Sequence, residues 1–401
     1  MIRKRIMGFI QFGCTAAVVL TAVLQSSACG QPQFRGYLEN RLFATFLDNK
    51  FSPADYGDNL KWGNFNRARV EMGADVSENS YLNLTVDYFT YHGYLLQLLR
   101  QQDSGGDPVE AADEQRISID RAYVRLYFKN ADVTIGKQRV SWGRSLLWSP
   151  FDVFNRMNFF EPQEEKSGVN AFKVSIPIGM TGNIEGVFAP ESTTEESRSG
   201  IRALWNSYGT EFTGTAIHNV VNTFRQNIFG MGFKTDLLLG VWFEGAYFDE
   251  SSLSGSNNSV RDYFRWLAGT DYSYNMGGKK LFLMAEYTHD ESGESDRTRY
   301  NYLNAVTQGR SLLGRDYIYG SARLTQNDFT SFTTSLLLNV NDGGLLLMPS
   351  VAHSLFPDTE VTLGMILAVA ERGTEFNPYP ENDPFNYIGN SIAYLWFRLY
   401  L

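Results

Sequence analysis

Residues 394–401 read YLWFRLYL, and their side chains alternate in character from one position to the next. Successive side chains of a β-strand point to opposite faces, so this stretch has one apolar face and one aromatic and charged face. The apolar face must contact something dry, whereas Arg398 on the other face needs water or a partner. The apolar set is Leu395, Phe397, Leu399 and Leu401, and the other set is Tyr394, Trp396, Arg398 and Tyr400.

The same alternation recurs in four other stretches of the chain. In each of them one parity is mostly apolar, and the other carries charged, amide or hydroxyl side chains. A strand that crosses a bilayer at a tilt needs roughly 9 to 11 residues, and each stretch is long enough. The stretches are FRGYLENRLFATFL (34–47), RARVEMGADV (67–76), YLNLTVDYFTY (81–91) and FTSFTTSLLLNV (329–340).

The connections between strands alternate in length, which is the asymmetry of bacterial outer-membrane barrels. The pattern predicts an all-β fold, namely a transmembrane, antiparallel, up-and-down β-barrel of about 18 strands, with 16 as the alternative. An even number places both ends of the barrel on the periplasmic side. Short turns are expected at 77–80, 129–132, 275–278 and 356–359, and longer polar loops near 48–62, 96–115, 141–168, 249–258, 290–314 and 372–388.

A soluble secreted all-β protein is the competing interpretation, because its strands also alternate. A closed barrel has no edge strand to protect, and it can therefore carry an apolar strand as far as Leu401. The polar faces also hold many arginines, which the interior of a sandwich would not accommodate without partners. Both features favour the membrane barrel.

The first 30 residues have the pattern of a cleaved secretory signal peptide. Three basic residues, Arg3, Lys4 and Arg5, precede the apolar run AAVVLTAVL (16–24), and small residues follow in SSACG (26–30). We therefore expect a signal peptide over 1–30 and an outer-membrane β-barrel over 31–401. Cleavage removes three positive charges and no negative ones, so the net charge of −9 becomes −12. Lipid attachment at Cys29 is an alternative for the same segment.

Composition excludes several classes of protein. Only two cysteines occur, so the chain has neither a C-x-x-C-H haem attachment motif nor a cysteine zinc site. The four histidines are far apart in sequence, and no G-x-S-x-G or H-E-x-x-H motif occurs. We therefore expect no enzyme activity, no cofactor and no metal, and the acidic charge argues against nucleic acid as a partner. Aromatic residues make up 14% of the chain, as the two interfacial girdles of a barrel require.

One segment resembles a known group of proteins. IGKQRVSWGRSLLWSPFDVFN (135–155) is similar to the G-(K/R)-Q-x-x-x-W-G strand and the following Ser-Pro-x-Asp loop of porin-like outer-membrane barrels, including the alginate-export type. The resemblance covers only these residues. It implies the barrel fold and does not indicate the solute.

The loop in this segment is the third on the long-loop side. The resemblance to porins implies that this loop folds into the barrel and narrows it, and its aromatic side chains suit such a constriction. A surface loop held by its own aromatic side chains is the alternative. The predicted constriction residues are Trp148, Phe151, Phe154, Phe159, Phe160 and Glu161.

The same segment conflicts with regular alternation. Val133 and Ile135 share a parity with Lys137 and Arg139, so a regular strand would direct two cations at lipid. A cation near the bilayer midplane costs roughly 2 to 4 kcal/mol. We therefore expect a β-bulge at Gly136 that exchanges the two faces.

The polar parity of the strands carries many arginines, which predicts a cationic pore lining and a preference for anions. Most acidic residues, Asp290 among them, are expected in the long loops. Cross-strand pairing of the arginines is the alternative, with Glu39, Glu71, Asp75 and Asp120 as partners. The predicted pore-lining residues are Arg35, Arg41, Arg67, Arg69, Arg121, Arg125, Arg202, Arg265, Arg323 and Arg398, of which Arg67, Arg69, Arg121 and Arg125 should form one strip.

These features predict a porin, surrounded by the lipid of a Gram-negative outer membrane, through which small hydrophilic solutes and especially anions diffuse passively. One alternative is a sheath for extracellular electron transfer, whose lumen would hold a multihaem cytochrome as partner. Another is an export channel for an anionic polysaccharide. The inward charges and the inward loop favour the water-filled pore.

Overall fold

The computed structural model of the chain is a single antiparallel sheet of 18 strands. It describes residues 30–47, 59–97, 114–145, 148–155, 167–221, 224–252, 261–302, 305, 312–379 and 391–401, so residues 1–29 of the predicted signal peptide lie outside the described part. The strands are β1 (Gln33–Phe46), β2 (Leu60–Ser77), β3 (Ser80–Gly93), β4 (Gln115–Phe128), β5 (Ala131–Gln138), β6 (Val169–Ile178), β7 (Gly182–Ala189), β8 (Arg198–Ser207), β9 (Thr210–Val221), β10 (Phe224–Asp236), β11 (Gly240–Ser252), β12 (Arg261–Met276), β13 (Lys279–Asp290), β14 (Asp316–Thr325), β15 (Thr330–Asn339), β16 (Leu345–Phe356), β17 (Thr359–Val369) and β18 (Ser391–Tyr400).

The sheet closes on itself, because β1 pairs with both β2 and β18. Tyr37 on β1, for example, lies opposite Arg69 on β2 and opposite Tyr400 on β18. Every strand has a hydrogen-bonded neighbour on each side, so the sheet has no free edge. The predicted barrel is confirmed, with 18 strands rather than 16, and the YLWFRLYL stretch forms its closing strand.

Short turns join the strands at one end of the barrel, and most connections at the other end are longer. The four predicted turns are confirmed. The turn after β12 contains Gly277 and Gly278, whose φ angles of 52° and 91° suit a two-residue hairpin. The short turns mark the periplasmic end. Two connections at the extracellular end are also short, namely 222–223 and 340–344.

Side chains alternate between the bore and the outside along each strand. On β3, Asn83, Thr85 and Asp87 face inward and are buried, whereas Tyr88 faces outward and is exposed. The outward parity around the ring carries large exposed apolar side chains, as a surface in contact with hydrocarbon requires. Examples are Leu38, Phe172, Phe229, Leu283, Leu363 and Phe397. Within the described ranges, no helix has the length and apolar character to span a bilayer.

The expected bulge at Gly136 is absent, since the pairing of β4 with β5 runs through Gly136 without a shift. The irregularity lies on the neighbouring strand β4, where Asp120 is an extra residue in the pairing with β3. The Lys137 ammonium donates to the carbonyl oxygen of Ile119, beside this bulge, at 2.6 Å. Arg139 follows the end of β5. The two faces of β5 therefore stay as they are along the strand, and neither Lys137 nor Arg139 requires a bulge at Gly136.

Candidate functional site

All ten predicted arginines occupy inward-facing strand positions. They are spread over seven strands, so they do not form one continuous ladder. Arg35 and Arg41 lie on β1, Arg67 and Arg69 on β2, Arg121 and Arg125 on β4, Arg202 on β8, Arg265 on β12, Arg323 on β14 and Arg398 on β18.

Two carboxylates interrupt the strip of arginines expected on β2 and β4. Nε and Nη2 of Arg67 donate to the carboxylate of Asp87 at 2.8 and 3.1 Å, and Arg69 pairs with Asp120. Asp87 lies on β3, between the two strands that carry the arginines, and Asp120 is the bulged residue of β4. Cross-strand pairing, the alternative that the sequence left open, therefore describes this part of the wall.

Glu39 joins two further arginines on the wall. Its carboxylate accepts a hydrogen bond from Nε of Arg398 at 2.7 Å and also pairs with Arg41. The side chain of Arg41 is 0% exposed, and its guanidinium lies 4.3 Å from the ring centroid of Trp396 and 5.1 Å from that of Phe65. Arg41 is therefore packed within the wall and is not exposed to solvent in the bore.

The inner wall carries many more acidic groups than the sequence suggested. Asp290, expected in a loop, is the last residue of β13 and pairs with Arg265 at 2.7 Å. Arg202 on β8 likewise pairs with Glu185 at 2.5 Å. Buried, inward-facing carboxylates around the ring are Glu39, Asp87, Asp120, Glu244, Glu250 and Glu286.

Arg35, Arg125 and Arg323 differ from the paired arginines. Among the described residues, no carboxylate lies within ion-pair distance of these three side chains. Each lies within three residues of the periplasmic end of its strand. The middle of the bore is thus largely charge-paired, and the three of these ten arginines that have no described ion pair lie near the periplasmic mouth.

We call the connection from β5 to β6, residues 139–168, loop 3; its described residues 140–145 and 148–155 lie inside the barrel. Phe151 of loop 3 is 0% exposed and packs over Gly230 on β10, where an added Cβ would come within 2.3 Å of the Phe151 ring. Trp142 packs over Gly200 on β8, where a Cβ would lie 2.8 Å from the indole ring. These two glycines therefore provide the space that the loop needs against the inner wall.

Two buried carboxylates of the wall hold the middle of loop 3. Glu244 on β11 accepts hydrogen bonds from the amide N–H of Arg144 at 2.8 Å and from the hydroxyl of Ser149 at 2.5 Å. Glu286 on β13 accepts a hydrogen bond from the hydroxyl of Ser145 at 3.2 Å. The acidic groups thus serve as acceptors for the loop backbone and side chains, and not only as partners of arginine.

Loop 3 crosses the bore. It leaves the wall at the end of β5, and the ring of its Trp148 lies 6.0 Å from that of Tyr317 on β14. In a ring of 18 strands, β14 is nine strands from β5 and is therefore diametrically opposite. A loop in this position reduces the open cross-section of the bore.

Three of the six predicted constriction residues lie in this inward part of loop 3. Trp148 and Phe151 make the contacts given above, and the ring of Phe154 lies edge-on to Trp142 at 5.2 Å. The other three lie outside the described residues: Phe159, Phe160 and Glu161.

The described part of a second loop, residues 370–379 of the connection from β17 to β18, is fixed to its neighbours by Glu375. The buried carboxyl group of Glu375 accepts hydrogen bonds from the N–H of Leu313 at 2.8 Å, the hydroxyl of Tyr317 at 2.6 Å and the amide of Asn339 at 2.6 Å. Burial raises the pKa of Glu375 to about 7. We call these four residues the Glu375 cluster. It joins two extracellular connections to the extracellular ends of β14 and β15.

The sequence did not identify the acidic anchors of the two loops. Glu244 occurs in GVWFEGAYFDE (240–250), where it shares its parity with Gly, Trp, Ala, Phe and a second acid, Glu250; an acid between Trp242 and Ala246 was the available signal. Glu375 follows no periodic pattern, so nothing in the sequence marks it. Across the ranges that the structure describes, no group of three or more His, Cys, Asp or Glu side chains could hold a metal ion.

Solved structures with a similar fold exist, although no family model matches the chain and no curated protein matches it in sequence. OccAB1 of Acinetobacter baumannii has a TM-score of 0.55 at 10% identity, and the match covers 92% of this chain and 96% of that one. A BenF-like porin from Pseudomonas fluorescens Pf-5 has a TM-score of 0.55 at 10% identity, with 92% and 98% covered. OccAB3 of A. baumannii has a TM-score of 0.53 at 9% identity, with 92% and 99% covered.

At these identities the likeness concerns the fold. It supports the porin-like barrel that the segment 135–155 implied, and it gives no support to the alginate-export type. The chain has the fold of Gram-negative outer-membrane porins.

Proposed function

We propose that the chain forms a passive channel for small hydrophilic solutes in the outer membrane of a Gram-negative bacterium. The observation that carries this proposal is a closed 18-stranded barrel with a polar inner wall and an apolar outer wall. Loop 3 crosses the bore and would set the size limit for solutes. In this proposal the chain binds and guides solutes and performs no chemical reaction.

Conductance and liposome swelling test the proposal. Purified protein in planar bilayers should give stepwise conductance increments, and proteoliposomes should swell at rates that fall as the solute becomes larger. Barrels that are folded and inserted but give neither increments nor swelling would contradict a passive channel.

Replacing Arg35, Arg125 and Arg323 together by Gln should shift the ion preference toward cations. These side chains lack a described ion pair, and guanidinium keeps its proton at any working pH. They should therefore contribute most of the uncompensated positive potential in the channel, and salt should weaken the effect. The reversal potential under a KCl gradient measures the shift.

Lys129→Gln is the control for this experiment, because Lys129 lies in a periplasmic turn outside the bore. It should leave the reversal potential nearly unchanged. An equally large shift in the control, or no shift in the triple variant, would show that these arginines do not determine ion preference.

The sheath for a multihaem cytochrome has less support than the channel. A sheath needs a bore that a second chain can fill, and here loop 3 of the same chain lies across it. An export channel for an anionic polymer would also need a path past loop 3, so the passage of small solutes agrees best with the geometry.

A further inference from the structure

The outward face of β1 departs from the apolar pattern of the outer wall. Asn40 lies at the middle of this 14-residue strand, and its side chain is exposed. Leu38 and Leu42 flank it along the strand, and Phe397 lies opposite it on β18; all three are exposed. An amide thus lies among lipid-facing apolar side chains, where lipid tails offer it no hydrogen bond.

Neighbouring side chains satisfy only part of the hydrogen-bonding capacity of Asn40. Its Nδ2 donates to Oδ1 of Asn66 on β2 at 2.5 Å. Nδ2 of Asn66 in turn donates to Oδ1 of Asn64 at 2.8 Å and to Oγ1 of Thr90 at 2.9 Å. Within the described residues, Oδ1 of Asn40 accepts no hydrogen bond, and one of its two amide hydrogens has no acceptor.

A hollow of about 280 Å³ lies beside Asn40 on the same face. Leu38, Ala68, Tyr88 and Phe397 contribute to its lining, and the small side chain of Ala68 leaves depth between the larger ones. A hollow of this size and apolar lining can receive side chains of a second protein surface, which a flat wall could not do.

We propose that two copies of this chain associate side by side in the membrane through this surface, which we call the amide face (Leu38, Asn40, Leu42, Asn66 and Phe397). Copies inserted into one membrane share their orientation, so a two-fold axis between them runs along the membrane normal. A residue near such an axis contacts the same residue of the other copy.

The chemistry of Asn40 is what selects a second copy as the occupant. A carboxamide carries both a donor and an acceptor, so two Asn40 side chains facing each other across the axis complete each other's hydrogen bonds. Lipid cannot do this, and the flanking leucines and Phe397 pack against their counterparts. The inference concerns assembly, and it holds whether or not the barrel conducts solutes.

Sedimentation of the purified protein in detergent tests the assembly. The unaltered chain should sediment as a dimer and Asn40→Leu mainly as a monomer, with unheated gel migration confirming that the variant barrel is folded. Thr270→Leu is the control, because Thr270 faces outward on β12, far around the ring. A monomeric unaltered chain, or a dimer that Asn40→Leu leaves intact, would overturn the proposal.

Cross-linking in intact membranes gives an independent measurement. In a chain with Cys14→Ser and Cys29→Ser, oxidised Asn40→Cys should give a band of twice the monomer mass, and Thr270→Cys should not. A disulfide-linked product with a different protein, or no product at all, would show that a second copy does not occupy the amide face.

Discussion

Replacing Glu244 and Glu286 together by Leu should raise the single-channel conductance of the barrel several-fold. These two wall carboxylates accept the hydrogen bonds of Arg144, Ser149 and Ser145 in the middle of loop 3. Their removal takes away the acceptor of the Arg144 N–H and of the Ser149 hydroxyl, and one partner of the Ser145 hydroxyl; each buried group left unsatisfied costs about 1 to 3 kcal/mol. The loop should therefore leave the bore, and conductance in planar bilayers measures the wider passage.

Glu250→Leu is the matched control for this double variant. Glu250 is a buried carboxylate on β11, as Glu244 is, but it accepts its hydrogen bonds from Gln226 and Tyr263 on neighbouring strands. Conductance should change little in the control. If the folded double variant conducts like the unaltered protein, then loop 3 does not limit the channel.

Raising the pH from 5 to 8 should loosen the loop between β17 and β18. Burial raises the pKa of Glu375 from 4.5 to about 7, so the docked loop holds the proton more tightly than the released loop does. The stability of docking is therefore greatest below the ordinary pKa and falls as the pH rises to about 7. At 1.36 kcal/mol per unit, the loss is at most about 3 kcal/mol.

Hydrogen exchange of residues 370–379, corrected for the intrinsic effect of pH, measures this loosening. The other titratable groups at the cluster are the hydroxyls of Tyr300, Tyr302 and Tyr317 and the carboxyl of Asp342. The Tyr317 hydroxyl donates to the Glu375 carboxyl group and the Tyr302 hydroxyl to the Glu375 carbonyl oxygen. The Tyr300 hydroxyl accepts from the Asn339 amide, and the Asp342 carboxyl accepts from the Glu375 N–H. Glu375→Gln should make protection insensitive to pH, because an amide does not ionise. Glu371→Gln, at an exposed carboxyl of the same loop, should keep the full dependence. If the protection of Glu375→Gln still depends on pH, then a group other than Glu375 causes this dependence.

The fold was predictable because alternation along a strand is a local property. One apolar parity and one polar parity, with short turns after every second strand, leave few solutions other than a closed membrane barrel. The inward position of the arginines follows from the same parity. The alternation of short turns and long loops then predicted about 18 strands, with 16 as the alternative.

The partners of those arginines were not predictable, because pairing depends on register between distant strands. Arg69 and Asp120 are 51 positions apart, and they meet through a bulge in β4 that no sequence signal placed there. The bulge was expected at Gly136, where the conflict of parities was visible. The residues that hold loop 3 are even more distant in sequence, since Ser145 and Glu286 are 141 positions apart.

The diametric course of loop 3 implies an order of events in the formation of the barrel. Loop 3 starts at β5, and its Trp148 contacts Tyr317 on the opposite wall; the distance between these walls is fixed only when β1 meets β18. The contact of loop 3 with Tyr317 can therefore form only when the ring has closed, whichever end of the chain inserts first. We therefore expect the newly closed barrel to be more permeable than the finished one until Trp148 contacts Tyr317.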